Sequence, residues 1–275
     1  MRTEKMKNNL IQKRSKNEEP FDFSKYRKSL RKSGVTKHQA NNLVEELGDI
    51  KKYFSTAELN YKTYKLLLRK SKVLAANYNL KQAIYSLGPT GYPFEILCAE
   101  LLKVKGYTTR VSVIKKGKWV KHEVDLIAKR DDGCIYGECK FHNKKNIKND
   151  IKVPLYVHAR FLDIKEGNPR EEFQPALFTN TFFSKDAIKY ARGVNLSLYA
   201  MNYPRKNNFI DLIQKYKVYP ITSLHSLKKS SQQRLLDQGI VVIKQLNRKN
   251  LLPVCRNENE LVKVLQEVKI LTRPN

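Results

Sequence analysis

The stretch HEVDLIAKRDDGCIYGECK, residues 122–140, decides how this chain is read. Two strand-like runs flank the turn residues Asp131-Asp132-Gly133. The first, Val124 to Ala128, is apolar except for Asp125; the second, Cys134 to Lys140, closes on Glu138 and Lys140. Side chains alternate across a strand, so residues two apart share a face. Charge placed in such a sheet is costly unless something compensates it. A divalent cation would do so. Two carboxylates at the ends of adjacent strands can hold Mg²⁺, or Mn²⁺, through oxygen and leave positions for water and phosphate. A neighbouring lysine can orient the attacking water and stabilise charge building on the phosphate. The short turn makes the two strands neighbours, so Asp125 and Glu138 converge despite their separation along the chain. Solvated hairpins also carry aspartate, glutamate and lysine at this spacing, so the setting of the motif has to decide.

The setting is strongly basic. The 275 residues carry 54 Lys plus Arg against 26 Asp plus Glu, a formal net charge of +28. That excess points to a polyanionic partner, double-stranded DNA first, because neutralising phosphates releases counterions. Hydrophobic residues make up 41%, enough for real cores, and the length suits about two domains. No apolar run approaches the ~20 residues that span a bilayer, and the start, MRTEKMKNNLIQKRSK, lacks a secretory core. None of the four cysteines forms a CxxC pair, so neither a disulfide framework nor a zinc knuckle is expected. A reducing, cytoplasmic location is the expectation.

Composition divides the chain into a basic tail (1–8) and three segments. Residues 9–87 read as mostly helical: a strand at 9–14, a helix from Ser24 to Lys32, and helices opened by Thr36 with Gln39 and by Ser55 with Glu58. A fourth helix covers about Lys72 to Ser86, and Gly88-Pro89-Thr90-Gly91 ends the segment. Residues 88–204 alternate. Phe94, Leu97, Cys98, Leu101 and Leu102 line one helix face, strands follow near 107–114, 119–129 and 134–141, then a helix from Pro154 to Ile164. A strand at 176–182, a helix at 185–192 capped by Ser184, and a strand at 196–201 complete an α-β-β-β-α-β-α-β order around a mixed sheet. Residues 205–275 read as a small helical domain, with Phe209, Leu212, Ile213 and Tyr216 at helical spacing and Asn257 capping a last helix.

Residues 91–201 resemble the Mrr-type restriction endonuclease domain, a branch of the PD-(D/E)xK nucleases. The likeness rests on GYPFEILCAELLKVKGY, HEVDLIAKRDDGCIYGECKFHN and FTNTFFSKDAIKYARGVNLSLYAM. It implies an αβββαβ core, Mg²⁺-dependent hydrolysis of DNA phosphodiesters leaving a 5′-phosphate, and homologous roles for matching residues. Asp125 and Glu138 correspond to metal ligands, Lys140 to the catalytic lysine, and Glu95 to an additional acidic position; the Cys139 backbone carbonyl is a further candidate ligand. Val124 stands where the family name has proline. His122 and His142 read as rim residues, Glu123 and Glu100 as surface acids, and His158-Ala159-Arg160 as a helix face that could meet DNA backbone. The DNA-binding residues themselves are not assigned.

Residues 9–86 resemble an ATP-cone, the nucleotide-sensing domain of ribonucleotide reductases, through Ile11-Gln12-Lys13-Arg14, EPFDFSKYRKSL and STAELNYKTYKLLLRKSKVLAANYNLKQAI. The resemblance implies that Lys13, Arg14 and Lys25 contact the phosphates of ATP or dATP. With no Walker-type loop in the chain, nucleotide is expected as effector rather than fuel. YPITSLHSLKKSSQQRLLDQGIVVIKQL is similar to helix-hairpin-helix modules around Gly239-Ile240 but lacks their Gly-x-Gly hairpin; plain helical packing or dimerisation is the other reading. The leading expectation is a nucleotide-regulated, homodimeric DNA endonuclease, since duplex cleavage requires two sites or two passes. The alternatives are a nucleotide-gated DNA-binding regulator and a junction-resolving or repair nuclease on the same core.

Overall fold

A computed structural model describes residues 10–12, 18–48 and 55–273, which form two compact units dividing between Asn79 and Leu80. The first unit opens with β1 (Leu10–Gln12) paired antiparallel to β2 (Glu18–Pro20). Helices α1 (Phe23–Lys32), α2 (Lys37–Leu47) and α3 (Thr56–Lys70) follow, then α4 (Lys72–Tyr85), within which the division falls ahead of the compositional boundary at Gly88. Their starts obey local chemistry. Asp22, Thr36 and Ser55 each accept a backbone N–H three residues on, and Thr36 with Gln39 closes a reciprocal capping box. Such caps contribute about 1 kcal/mol each. Leu30, Leu43, Leu59, Leu67 and Ala75 form the buried centre, with the Tyr26 and Thr63 hydroxyls bonded at 2.5 Å.

The second unit is a mixed α/β body built on a five-stranded sheet. Helix α5 (Tyr92–Lys103) buries Phe94, Leu97, Cys98, Leu101 and Leu102, the face read from its spacing. Strands β3 (Thr108–Lys116), β4 (Lys121–Arg130) and β5 (Gly133–Lys140) form an antiparallel meander. After the short β6 (Lys148–Asn149), α6 (Lys152–Gly167) crosses to β7 (Gln174–Thr179), which lies parallel to β5. Then β8 (Phe182–Phe183) pairs with β6, α7 (Lys185–Gly193) crosses the sheet, and β9 (Ser197–Tyr199) adds parallel to β7. The order is β3-β4-β5-β7-β9, the mixed sheet expected of a restriction-endonuclease-like core. One apolar cluster joins Val124, Tyr136 and Leu177 of the sheet to Val157 and Phe161 of α6 and Ala187 of α7. The small β6–β8 pair was not legible in sequence, where 176–182 reads as one strand; Ser-free Thr179-Asn180-Thr181 turns the chain instead.

Residues 205–273 fall in the same compact unit as the sheet. The Phe209 ring, on α8 (Phe209–Tyr216), lies 5.4 Å from that of Phe94 on α5, and the Thr222 hydroxyl donates to the Ala83 carbonyl at 2.7 Å. Helices α9 (Lys229–Asp237), α10 (Arg248–Leu251) and α11 (Glu258–Thr272) complete it. Glu267, 2% exposed on α11, is kept buried by accepting the amides of His225 and Ser226 and the Ser226 hydroxyl. Among the described residues, no helix is long and apolar enough to cross a membrane.

Candidate active site

The β4–β5 ladder stops at Leu126 opposite Gly137. Beyond it the strands separate and the Asp125 carboxylate fills the gap, accepting the Cys139 amide at 2.7 Å through Oδ2. A side chain thus replaces a ladder bond, which fixes Asp125 at the edge of the opening. On the outer side β3 is locally distorted. Ser112 has φ 50° and its hydroxyl lies 3.4 Å from Oε2 of Glu95, in the first turn of α5. The distortion interrupts the β3–β4 register between Val111 and Val113 at the level of Asp125.

Glu138 is 6% exposed and turns toward α6. Its Oε1 accepts the Tyr156 hydroxyl at 2.6 Å, and its Oε2 is paired with the Arg160 guanidinium. Arg160 also donates to the Glu123 carbonyl at 3.2 Å. Lys140 pairs in register with Thr179 of β7, whose hydroxyl bonds the Lys140 carbonyl at 2.8 Å. Its ammonium has no hydrogen-bond or ion-pair partner among the described residues. The backbone beyond Lys140 is tied by a buried polar hub. Asn149 donates to Thr179, Thr181 and the Phe182 carbonyl and meets the His142 ring at 2.8 Å, while Asn180 bonds both backbone groups of His142.

The electrostatics are those of a crowded acidic pocket. Burial, then the nearby Asp125 charge, lifts the Glu95 carboxyl to about 7. Burial, then Glu138, lifts Asp125 to about 6 despite the Cys139 amide and Arg160. Carboxylates that raise one another's pKa in a desolvated site hold negative charge that a cation would relieve. Their oxygens are hard donors of the kind Mg²⁺ takes, and Asp125 keeps Oδ1 outside its bond to Cys139. Among the described residues, no three acidic, histidine or cysteine groups already converge as a metal cage.

Of the four residues singled out in this segment, Glu95, Asp125 and Glu138 are close enough to perturb one another's charge where the β4–β5 ladder stops, and Lys140 follows Glu138 two residues on along β5. Cys139 contributes its N–H to Asp125; its thiol is buried beside Cys98. Glu123 is exposed, as expected, yet its charge still raises Asp125 and Glu95. The two histidines flanking the motif are both hydrogen-bonded within the protein. His122 bonds Asp163 at 2.7 Å and His142 bonds Asn149, so both are structural ties. Arg160, read as a helix face toward DNA, is instead a partner of Glu138, and Tyr156 was missed. Their i, i+4 spacing on a helix was the one signal available.

Comparison with known proteins places this geometry in a family. Residues 89–204 match the restriction endonuclease catalytic family and residues 219–272 match "AF1548-like, C-terminal". An uncharacterized protein of Archaeoglobus fulgidus is 38% identical over 143 residues, covering 52% of this chain and 79% of its own length. A crystal structure titled as the protein of unknown function AF1548 is 31% identical, with a TM-score of 0.55, covering 66% of this chain and 98% of its own. The chain belongs to the AF1548-like family. It carries a restriction-endonuclease-like domain, whose type generally uses Mg²⁺ and acts on DNA, followed by the AF1548-like C-terminal segment.

Lys13 and Arg14 lie outside the described residues. Lys25, on α1, is 83% exposed and pairs with Asp22 at 3.4 Å.

Proposed function

We propose that this protein is a Mg²⁺-dependent DNA endonuclease whose catalytic set is Glu95, Asp125, Glu138 and Lys140. The observation that carries it is the mutual electrostatic influence of Glu95, Asp125 and Glu138, the first two with raised pKa values, where the β4–β5 ladder stops. Asp125 and Glu138 would hold the cation, with the Cys139 carbonyl as a further oxygen. Bound there, Mg²⁺ supplies a polarised phosphoryl oxygen and a more acidic water. The chain does the rest. Lys140 brings a fixed positive charge to the scissile phosphate and to the attacking oxygen. Glu95, with a pKa near neutrality, suits a group that takes a proton from water at working pH. Water adds to phosphorus in line, the P–O3′ bond breaks, and the 3′-oxygen leaves with a proton, giving the 5′-phosphate that the family resemblance implies.

The resemblance of residues 9–86 supports ATP or dATP as an effector, with Lys13, Arg14 and Lys25 on its phosphates. A nucleotide would have to bind two conformations unequally to regulate cleavage. A nucleotide-gated regulator without cleavage, or a junction-resolving nuclease, would use the same body differently.

One assay separates these readings: linear, branched and plasmid DNA with Mg²⁺, with and without ATP or dATP, beside Asp125→Ala. Metal-dependent nicking lost in the variant supports the nuclease, and preference for branched DNA favours resolution. Salt-sensitive DNA binding with no cleavage under any condition would favour the regulator. Unchanged ATP affinity by calorimetry in Lys13→Ala with Arg14→Ala would remove the nucleotide assignment.

A further inference from the structure

The one tryptophan of the chain stands at the tip of the β3–β4 hairpin, 75% exposed. Val120 beside it is 58% exposed and Ile114 on the ribbon 61%. Large apolar side chains held in water are informative when they cluster and when the backbone spends hydrogen bonds to keep them there. This tip is held firmly. Gly117 N–H donates to the Val120 carbonyl at 2.8 Å and Lys118 N–H to the Asp163 carbonyl at 3.0 Å. The Asp163 carboxylate accepts the Trp119 amide at 3.0 Å and the Val120 amide at 3.4 Å, and bonds the His122 ring at 2.7 Å. Asn168 donates to the Lys116 carbonyl at 2.7 Å. Gly117 and Gly167 sit backbone to backbone: a Cβ on Gly167 would lie 2.5 Å from the Gly117 carbonyl carbon, and one on Gly117 1.9 Å from Asp163 Oδ2. Helix α6 thus clasps the tip and presents the indole outward.

The surroundings of the indole are cationic. Lys116, Lys118 and Lys121 are exposed around it; the Lys118 ammonium lies 4.9 Å from the ring centre and pairs at 3.2 Å with the exposed Glu166, a surface pair that a phosphate can displace. Lys116 and Lys121 are cross-strand partners, as are Ile114 and Glu123, so these four share one face of the ribbon. Glu123 is near enough to Asp125 and Glu95 to perturb both, which ties that face to the candidate active site. Strand β5 ends at Lys140, whereas the β3–β4 ribbon runs on past it. From Asp125 to Trp119 the chain covers six residues, on the order of 20 Å at ~3.3 Å per residue. That span matches about six base pairs at ~3.4 Å each.

We propose that the β3–β4 tip is a DNA contact in which Trp119 wedges against a base step of duplex bound across the candidate active site. The proposal rests on the nuclease reading above. Lys116, Lys118 and Lys121 take the flanking phosphates, and the indole stacks where the duplex is kinked or opened about six base pairs from the site. Apolar wedges kink duplexes in this way, and stacking on an aromatic ring is tolerant of sequence. A rigid tip suits the role, since a wedge that must first be ordered loses affinity to entropy.

Trp119 is the sole tryptophan, so its fluorescence reads this contact without labelling. The wild-type protein is titrated with a labelled 30-base-pair duplex in EDTA, which prevents cleavage; label anisotropy reports binding and indole emission reports stacking. The expected result is at least twofold quenching that saturates with the anisotropy, and protection of the ring from acrylamide. Trp119→Ala should weaken binding about 10-fold, within the ~5- to 150-fold that loss of base stacking brings. Trp119→Phe should restore most of it, and Lys118→Ala should lower the salt slope by about one. Duplex binding with unchanged emission and unchanged affinity of Trp119→Ala would overturn the wedge and leave the nuclease reading standing. No anisotropy change at any salt would overturn both. An emission shift with vesicles of anionic phospholipid but not with DNA would overturn the wedge in favour of a membrane contact.

Discussion

Arg160 of α6 donates through Nη1 to Oε2 of Glu138 on β5, so the acid expected to hold a cation is already paired with one. Glu138 is almost fully buried, and Tyr156 occupies its other oxygen at 2.6 Å. A buried carboxylate without a compensating charge is costly, and in the cation-free protein the guanidinium supplies that charge. Arg160 and a metal therefore compete for the same electrons. If Glu138 holds a cation as proposed, the guanidinium would have to give up that oxygen.

Replacing Arg160 should expose that competition. Arg160→Ala in EDTA leaves Glu138 buried and unpaired and should cost about 3 kcal/mol, read as a melting temperature lower by about 5–10 °C. Saturating Mg²⁺ should recover most of the loss, because the metal takes over the charge. An equal loss with and without Mg²⁺ would mean that Arg160 acts only through packing.

A second prediction concerns pH. Glu95 and Asp125 have folded-state pKa values raised to about 7 and about 6, above the ordinary carboxylate range. Their contribution to stability is complete below the unfolded pKa near 4 and is lost as pH rises through 6 to 7. The metal-free protein should thus be less stable at pH 8 than at pH 5.5 on their account, by about 2 kcal/mol. Asp125→Asn keeps an oxygen for the Cys139 amide and removes the charge, so it should flatten the profile and stabilise the metal-free protein at pH 8. Denaturant melts of both proteins across pH 5–8 check this, and wild-type stability that does not fall with pH would refute it.

The core of this fold was legible because its strands and helices obey local rules. The apolar face of α5, the Asp131–Gly133 turn and the Ser184 cap each fix an element from a few residues, and the structure places them as read. Asp125, Glu138 and Lys140 stood out in the sequence because charge inside an apolar strand pattern needs a reason. Tyr156 and Arg160 were not, since their role depends on how α6 crosses the sheet, which spacing along the helix does not reveal. Nor was the joining of 205–275 to the sheet, because Phe94 meeting Phe209 is a contact between distant segments with no local signature.

The Asn149 hub gives a third test. Its side-chain amide has three acceptors and its oxygen meets His142, all within a buried corner that also carries Thr179, the partner of Lys140. Asn149→Ala leaves several buried polar groups without partners, each costing about 1–3 kcal/mol. Urea denaturation should show a loss of about 2–4 kcal/mol. Asn149→Asp, which keeps the acceptor and loses the donors, should not rescue it.

Lys140 carries the last prediction. Its ammonium lacks a partner among the described residues although its strand is fixed by Thr179 on one side and its neighbour Cys139 by Asp125 on the other. A lysine whose ammonium pairs with no acid among the described residues is available to the phosphate of a bound substrate. Lys140→Ala should then fold normally, within about 0.5 kcal/mol of wild type, as removal of an unpaired side chain implies. It should bind duplex DNA within about threefold in Ca²⁺, because one phosphate contact among many contributes little to affinity. Cleavage in Mg²⁺ should fall by about 10²–10³, the loss typical when one electrostatic donor to a transition state is removed. Single-turnover cleavage beside DNA anisotropy separates the two effects. A parallel loss of binding and cleavage would make Lys140 a binding residue only, and full cleavage would remove it from the catalytic set.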